Sequence, residues 1–216
     1  LDIGGESTRP GHQQITEEEE IERVAPVIEA VKARFDIPVS IDSYKAKVAA
    51  AAIEAGADLV NDIWGLKYDP EMAGLIARTG VACCLMHNKN NTEYQDFYPD
   101  MLRETAECVK LAKEAGIADD KIILDPGVGF GKNYEQNLET ILHMERFHEL
   151  GYPMLLGTSR KSVIGLTLDL PADQRVEGTL VTTVMAVMKK YAFVRVHDIR
   201  ENQRTIRMTE AILRAG

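Results

Sequence analysis

The chain alternates. Short β-branched runs stand at 1–3 (LDI), 38–42 (PVSID), 58–63 (DLVNDI), 81–87 (VACCLMH), 121–126 (KIILDP), 153–157 (PMLLG) and 192–198 (AFVRVHD), with longer helix-patterned stretches between them. KIILD and PMLLG are nearly continuous apolar runs, as strands are when a parallel sheet is covered on both faces. Strand and helix in such strict rotation leave two architectures, a (β/α)8 barrel or an open doubly wound sheet. Polar residues end nearly every strand: Asp42, Asn61, His87, Asp125, Thr158 and His197. A barrel gathers those ends around one mouth, whereas an open sheet spreads them along a line. The expected fold is therefore an α/β, (β/α)8 TIM barrel in one domain over residues 1–216. Seven strands are counted and the first is clipped, so a first strand, its loop and helix, and the head of the second strand are expected ahead of Leu1.

The helices carry their own punctuation. Thr16 and Glu19 form a capping-box pattern, followed by Ile21, Val24, Ile28 and Val31 on one face. Residues 44–56 are alanine-rich and stop at Gly56, and Asp69-Pro70 has cap and first-turn chemistry. Leu102, Ala106, Val109 and Lys113 mark a helix closed by Gly116. Leu138, Ile141 and Leu142 mark the next, Val176, Leu180, Val184 and Val187 a later one, and Ile206 and Ile212 the last.

Charge and cysteine content narrow the partners. Of 216 residues 34 are acidic and 25 basic, a formal charge of −9, which argues against long-range attraction to nucleic acid or an anionic membrane. Cys83, Cys84 and Cys108 form no CxxC, and their odd count fits a reducing cytosol better than a disulfide scaffold. No apolar run approaches the roughly 18 residues of a membrane helix, and no basic region precedes the first strand, so no signal peptide is expected.

The strand ends suggest the chemistry. Asp42, Asn61 and Asp125 suit a neutral heterocycle rich in N–H groups and ring nitrogens, because a carboxylate accepts paired hydrogen bonds from an amino-substituted ring. Any one of them, Asp62 included, could instead cap a strand or turn. In GTSRKS (157–162) helix amides and Lys161 offer an anion site, with Arg160 read as facing outward. Arg195 and His197 are two apart on a strand, and an inward arginine calls for an anion. With Arg9 they read as a phosphate or pyrophosphate clamp. Phe130, flanked by glycines, offers a stacking wall. His87 raises the question of a metal, but H-E-x-x-H is absent, so it reads as support for the pocket floor. GVGFGK (127–132) fits neither the dinucleotide nor the phosphate-loop spacing.

The segments DIGGESTRPG, SID, NDIWG, LMH, ILDPGVGFGK, GTSRKS and FVRVHD, in this order across essentially the whole chain, resemble the dihydropteroate synthases. The resemblance implies a cytoplasmic, usually dimeric barrel using Mg²⁺. It would condense 6-hydroxymethyl-7,8-dihydropterin pyrophosphate with 4-aminobenzoate in folate biosynthesis, and sulfonamides would compete for the aminobenzoate site. Carried over by motif, Asp42, Asn61, Met86, Asp125 and Lys161 would hold the pterin, and Asp42, Asp125 and Lys161 would serve catalysis. Arg9, Arg195 and His197 would hold pyrophosphate, and Thr8, Arg9, Phe130, Ser159 and Lys161 would surround the aminobenzoate. Ser43 stands where the family more often has threonine. The family's metal-contacting asparagine belongs to the first strand, so no metal ligand is expected in 1–216. A pterin-binding methyltransferase and a catalytically inactive pterin-binding barrel are the alternatives. A methyltransferase has no use for a pyrophosphate clamp.

Overall fold

The computed structural model describes residues 1–7, 11 and 13–215. Two compact units make up the chain, Leu1–Asn88 with Arg103–Leu124, and Lys89–Leu102 with Asp125–Gly216. All seven expected strands form, each inside its expected run and shorter than it.

In the first unit β1 (Asp2–Ile3), β2 (Ser40–Asp42), β3 (Leu59–Asp62) and β4 (Ala82–Met86) pair in parallel, and β5 (Ile122–Asp125) follows β4 in the sheet order. Register sets the chemistry of the sheet. Ile3, Ile41, Val60 and Cys83 form one row, and Asp42, Asn61 and Cys84 form the next. Side chains alternate along a strand, so these two rows point to opposite faces. Both rows are buried from Ile41 and Asp42 onward, which explains the lack of a clean in–out alternation.

Helix α1 (Glu17–Lys32) starts where the Thr16 side chain accepts from the Glu19 amide at 3.1 Å, and it buries Val24 and Ile28. The capping box is only half formed, because the Glu19 carboxylate pairs with Arg23 one turn later instead of folding back. Helix α2 (Ala46–Glu54) ends before Gly56, whose φ of +109° is the left-handed-side conformation glycine permits. Asp69 serves two starts. Its Oδ1 accepts from Glu71 ahead of α3 (Met72–Thr79) at 3.0 Å, and its Oδ2 accepts from Ala46 at the head of α2 at 2.8 Å. Helix α4 covers Phe97–Glu114.

The second unit contains α5 (Tyr134–Leu142), β6 (Leu155–Leu156), α6 (Ser162–Leu168), α7 (Val176–Met188), β7 (Phe193–Val194) and α8 (Ile199–Leu213), with β6 and β7 parallel. Asn133 and Gln136 close a complete capping box on α5, both bonds 2.8 Å. β7 stops at Val194 instead of running to Asp198. The Arg195 amide still donates to Leu156 O at 3.0 Å, but the His197 amide donates to the Ser159 hydroxyl at 3.1 Å, so a side chain takes the place of the next ladder partner. α7 departs from its pattern. It buries Thr179, Thr182, Thr183 and Ala186, while the expected valines lie half-buried. Among the described residues no helix is long and apolar enough to cross a membrane.

Candidate active site

In the first unit Asp42 and Asn61 are register partners at the ends of neighbouring strands, 5% and 8% exposed, so both side chains leave the sheet on one face. Asn61 Nδ2 donates to Asp2 Oδ2 at 3.5 Å, and the Ser40 hydroxyl donates to the other Asp2 oxygen. Met86 lies two residues past Cys84, the register partner of Asn61, and so shares that face. Gly4 lies against Asp42: a Cβ on Gly4 would stand 3.3 Å from both Asp42 Cβ and Asp42 O. A Cβ on Gly5 would stand 3.0 Å from Glu20 Cγ and Val24 Cγ1. This pair of close approaches is why the exit from β1 needs two glycines.

Beyond them lies a buried ionic cluster that the sequence did not announce. Lys45 Nζ donates to Glu6 Oε2 at 2.7 Å, to Glu20 Oε2 at 2.8 Å and to Ile15 O at 2.9 Å. Glu6 also accepts from the Tyr44 hydroxyl and from the Ile15 amide. Burial alone would lower the Lys45 pKa, yet Glu20 and Glu6 hold it above the ordinary lysine value. Thr8 and Arg9, expected at the aminobenzoate and pyrophosphate, lie outside the described residues.

Asp62 takes the bland alternative. Its carboxylate accepts from the Trp64 and Leu66 amides, each at 2.8 Å, and holds a turn in which Leu66 has φ +68°. His87 is fully buried, with Nε2 2.8 Å from Glu104 Oε2. Cys83, Cys84 and Cys108 are free, buried thiols, and burial pushes Cys83 up to about 12 and Cys108 up to about 11.

In the second unit three site residues meet around Gly157. A Cβ placed there would lie 3.5 Å from Asp125 Oδ2, 3.9 Å from Lys161 Nζ and 4.0 Å from Arg195 Cβ. Asp125 is 5% exposed, and its Oδ1 accepts from the Gly127 amide at 2.7 Å. Burial raises its carboxyl pKa, against the opposing pull of Lys161, the Gly127 amide, Lys132 and Arg195. Lys161 Nζ donates to Val128 O and sits 4.8 Å from the Phe130 ring centroid, a cation–π contact. Phe130 is thus half-buried beside the ammonium. Arg195 is exposed, as is Phe193 within β7, so the expected cost of an inward arginine does not arise. His197, also exposed, has Nδ1 2.9 Å from the buried Ser159 hydroxyl.

The loop 127–132 is held from inside by residues the sequence reading left unassigned. Lys132 Nζ donates to Gly127 O and Phe130 O at 3.0 and 3.1 Å. Asn137 Oδ1 accepts from the Gly129 amide at 2.6 Å. The GFGK motif carried the signal for Lys132, but nothing in the sequence pointed to Asn137. Arg160, read as facing outward, is half-exposed and paired. Its guanidinium makes a two-bond pair with Asp198, at 2.6 and 3.1 Å, and its φ of +59° is a left-handed conformation that costs a non-glycine residue about 1–2 kcal/mol.

A family model described as pterin binding enzyme matches residues 1–197. Over 215 residues the chain is 60% identical to a dihydropteroate synthase of Clostridium beijerinckii, covering 99% of this chain and 80% of that protein. The crystal structure of a dihydropteroate synthase from Clostridium difficile in the presence of pteroic acid has a TM-score of 0.96 and 47% identity, covering 98% of this chain and 81% of that one. The dihydropteroate synthase of Xanthomonas albilineans with 4-aminobenzoic acid has a TM-score of 0.95 and 38% identity, covering 99% and 78%. The alternation of parallel strands and helices is that of the TIM barrel these structures share. By its motifs, its fold and these matches, the chain belongs to the dihydropteroate synthase family of pterin-binding enzymes, transferases that join a pterin pyrophosphate to 4-aminobenzoate.

Proposed function

We propose that the chain condenses 6-hydroxymethyl-7,8-dihydropterin pyrophosphate with 4-aminobenzoate to give 7,8-dihydropteroate and pyrophosphate. The observation that carries this reading is the meeting of Asp125, Lys161 and Arg195 around Gly157, a buried carboxylate beside two cations. On the motif resemblance Asp42, Asn61, Met86, Asp125 and Lys161 bind the pterin. Arg9, Arg195 and His197 bind the pyrophosphate, and Thr8, Arg9, Phe130, Ser159 and Lys161 bind the aminobenzoate. A sulfonamide bearing an aromatic amine competes for that last place.

The reaction breaks the C–O bond between the pterin methylene and pyrophosphate, and pyrophosphate leaves with the electron pair. Cationic character builds on the methylene, and the Asp125 carboxylate, hydrogen-bonded to the ring's N–H groups, stabilises it. The aromatic nitrogen then bonds the methylene carbon and loses one proton to water. No covalent enzyme intermediate is needed.

Mg²⁺, when bound, would offset part of the pyrophosphate charge, while Arg195 and His197 would hold the pyrophosphate itself. Among the described residues no group of three or more His, Cys, Asp and Glu side chains is placed to hold a metal ion. We also read the chain as a cytoplasmic homodimer, supported by its reduced, buried thiols and by the apolar groove on α7 and α8 described below.

Pyrophosphate release that depends on both substrates tests the function. Asp125→Ala is expected to lower kcat/KM by about 10²-fold or more, the usual scale for removing an electrostatic partner of the transition state. Unchanged turnover in that variant, or release indifferent to 4-aminobenzoate, overturns the reading.

A further inference from the structure

Lys161 sits where the proposed catalysis needs it, with its ammonium on Val128 O. The segment is irregular. Arg160 adopts φ +59°, and Lys161 is the N-cap of a short helix with no side-chain cap bond. The Lys161 amide donates to Thr158 O and its carbonyl accepts from the Ile164 amide, each at 3.1 Å, and fourteen positions later in the chain Arg175 adds side-chain bonds to the same stretch. Its Nη1 donates to Arg160 O at 2.9 Å and to Lys161 O at 3.3 Å, and its Nε donates to Leu170 O at 2.9 Å. The two Nη1 acceptors are the carbonyls on either side of Lys161. One guanidinium thus ties the entry of α6 to its exit.

The seat for that guanidinium is Gly165. A Cβ there would fall 2.1 Å from Arg175 Nη2, 2.2 Å from Cζ and 2.5 Å from Nε, so any side chain at 165 would evict the arginine. The φ of Gly165 carries no left-handed requirement, so space and not backbone freedom is what this glycine provides. α7 reinforces the arrangement. The Arg160 amide donates to Thr179 Oγ1 at 3.3 Å, and Thr179 Oγ1 donates to Arg175 O at 3.0 Å. Thr182 Oγ1 lies 2.7 Å from Thr158 Oγ1. This explains why α7 buries hydroxyls where its pattern predicted valines.

We propose that Arg175, seated on Gly165, is a positioning residue for the known reaction: it sets the two peptide groups flanking Lys161 and so aims the ammonium at the substrate. Arg175 itself touches none of the reacting groups named above. Lysine cannot replace it, because a single ammonium cannot span carbonyls at both ends of α6 with the fixed fork of a guanidinium. The proposal rests on the function argued above.

The test uses the full chain as wild type, Arg175→Ala, Arg175→Lys, Gly165→Ala, Lys161→Met and the Arg175→Ala/Lys161→Met double variant. Steady-state pyrophosphate release, pteroate affinity by calorimetry, thermal unfolding and crystal structures are read for each. Arg175→Ala is expected to lower kcat/KM by about 10- to 100-fold, the scale of a displaced catalytic group. Gly165→Ala should do the same with the arginine still present, and Arg175→Lys should recover only part of the loss. In the Lys161→Met background Arg175→Ala should cost less than about twofold, since nothing remains to be aimed. Additive losses in that cycle overturn the proposal. So does an Arg175→Ala protein that melts earlier while keeping wild-type kcat/KM and pteroate affinity. Loss of fold in Arg175→Ala leaves Gly165→Ala and Arg175→Lys to decide by the same readouts. A wild-type chain without turnover would strike the function and not the positioning, because the crystal structures still report whether Lys161 Nζ leaves Val128 O when Arg175 is removed.

Discussion

Asp62 stands one residue beyond Asn61 on β3 and therefore points to the other face of the sheet. Asn61 is proposed as a pterin contact, while Asp62 is 1% exposed and committed to the Trp64 and Leu66 amides. Burial, the largest influence, pushes its carboxyl up to about 6 despite those bonds. An unfolded aspartate titrates near ~3.9, so the native state holds this proton more tightly. The stability gained from that difference is complete below about pH 4 and is lost as pH rises through about 6. Asp62→Asn cannot titrate. The wild type's stability relative to this variant should therefore fall by about 3 kcal/mol between pH 4 and pH 7.5, read from urea unfolding across that range. A difference that stays flat with pH would show that Asp62 folds with an ordinary pKa.

At the scale of elements, the cluster around Lys45 joins the end of β1 to the start of α1 and the entry to α2. Glu6 comes from the first, Glu20 from the second and Lys45 from the third, and the paired side chains are 2–8% exposed. Removing the lysine leaves two carboxylates buried without their cation, so Lys45→Ala should cost about 3–5 kcal/mol in denaturant unfolding. Lys45→Met in a Glu6→Gln/Glu20→Gln background should recover much of that loss, because the destabilisation comes from uncompensated charge and not from lost packing. A single-variant cost below about 1 kcal/mol, the value of an exposed pair, would contradict the burial argument. The contrast with the strands is instructive. β-branched runs, their polar ends and the glycine stops were legible because they follow from local periodicity and local backbone sterics. Asp42, Asn61 and Asp125 were legible because a polar residue closing an apolar strand is visible in a window of five. Glu6, Glu20 and Lys45 are separated by 14 and 25 positions, so no local window of sequence shows that packing pairs them. Arg175 was hidden for the same reason. Its partners are backbone carbonyls, which every residue has and no sequence pattern marks.

At the scale of the whole molecule, α7 and α8 bury mainly polar side chains and expose several large apolar ones. α8 buries Asn202 and Thr209 and exposes Met208 and Ile212, while α7 exposes Val181 and Met188. Val184, Met188, Met208, Ile212 and Leu213 line an apolar groove of about 360 Å³. Fully burying one such side chain contributes about 1.5–3 kcal/mol against an association cost of about 4–15 kcal/mol, so several must be covered on both copies to hold a dimer at micromolar concentration. The formal charge of −9 opposes that pairing, since two acidic chains repel. Added salt screens the repulsion and leaves the apolar contact intact, so the dimer should tighten as ionic strength rises from low values to physiological ones. Light scattering after size exclusion should give twice the chain mass for the wild type and the chain mass for Met208→Glu at equal concentration. The wild type's Tm should rise with protein concentration and the variant's should not, as linkage between folding and association requires. Wild-type chain mass at every concentration and salt, or a Met208→Glu protein of unchanged dimeric mass, would remove this groove as the dimer contact.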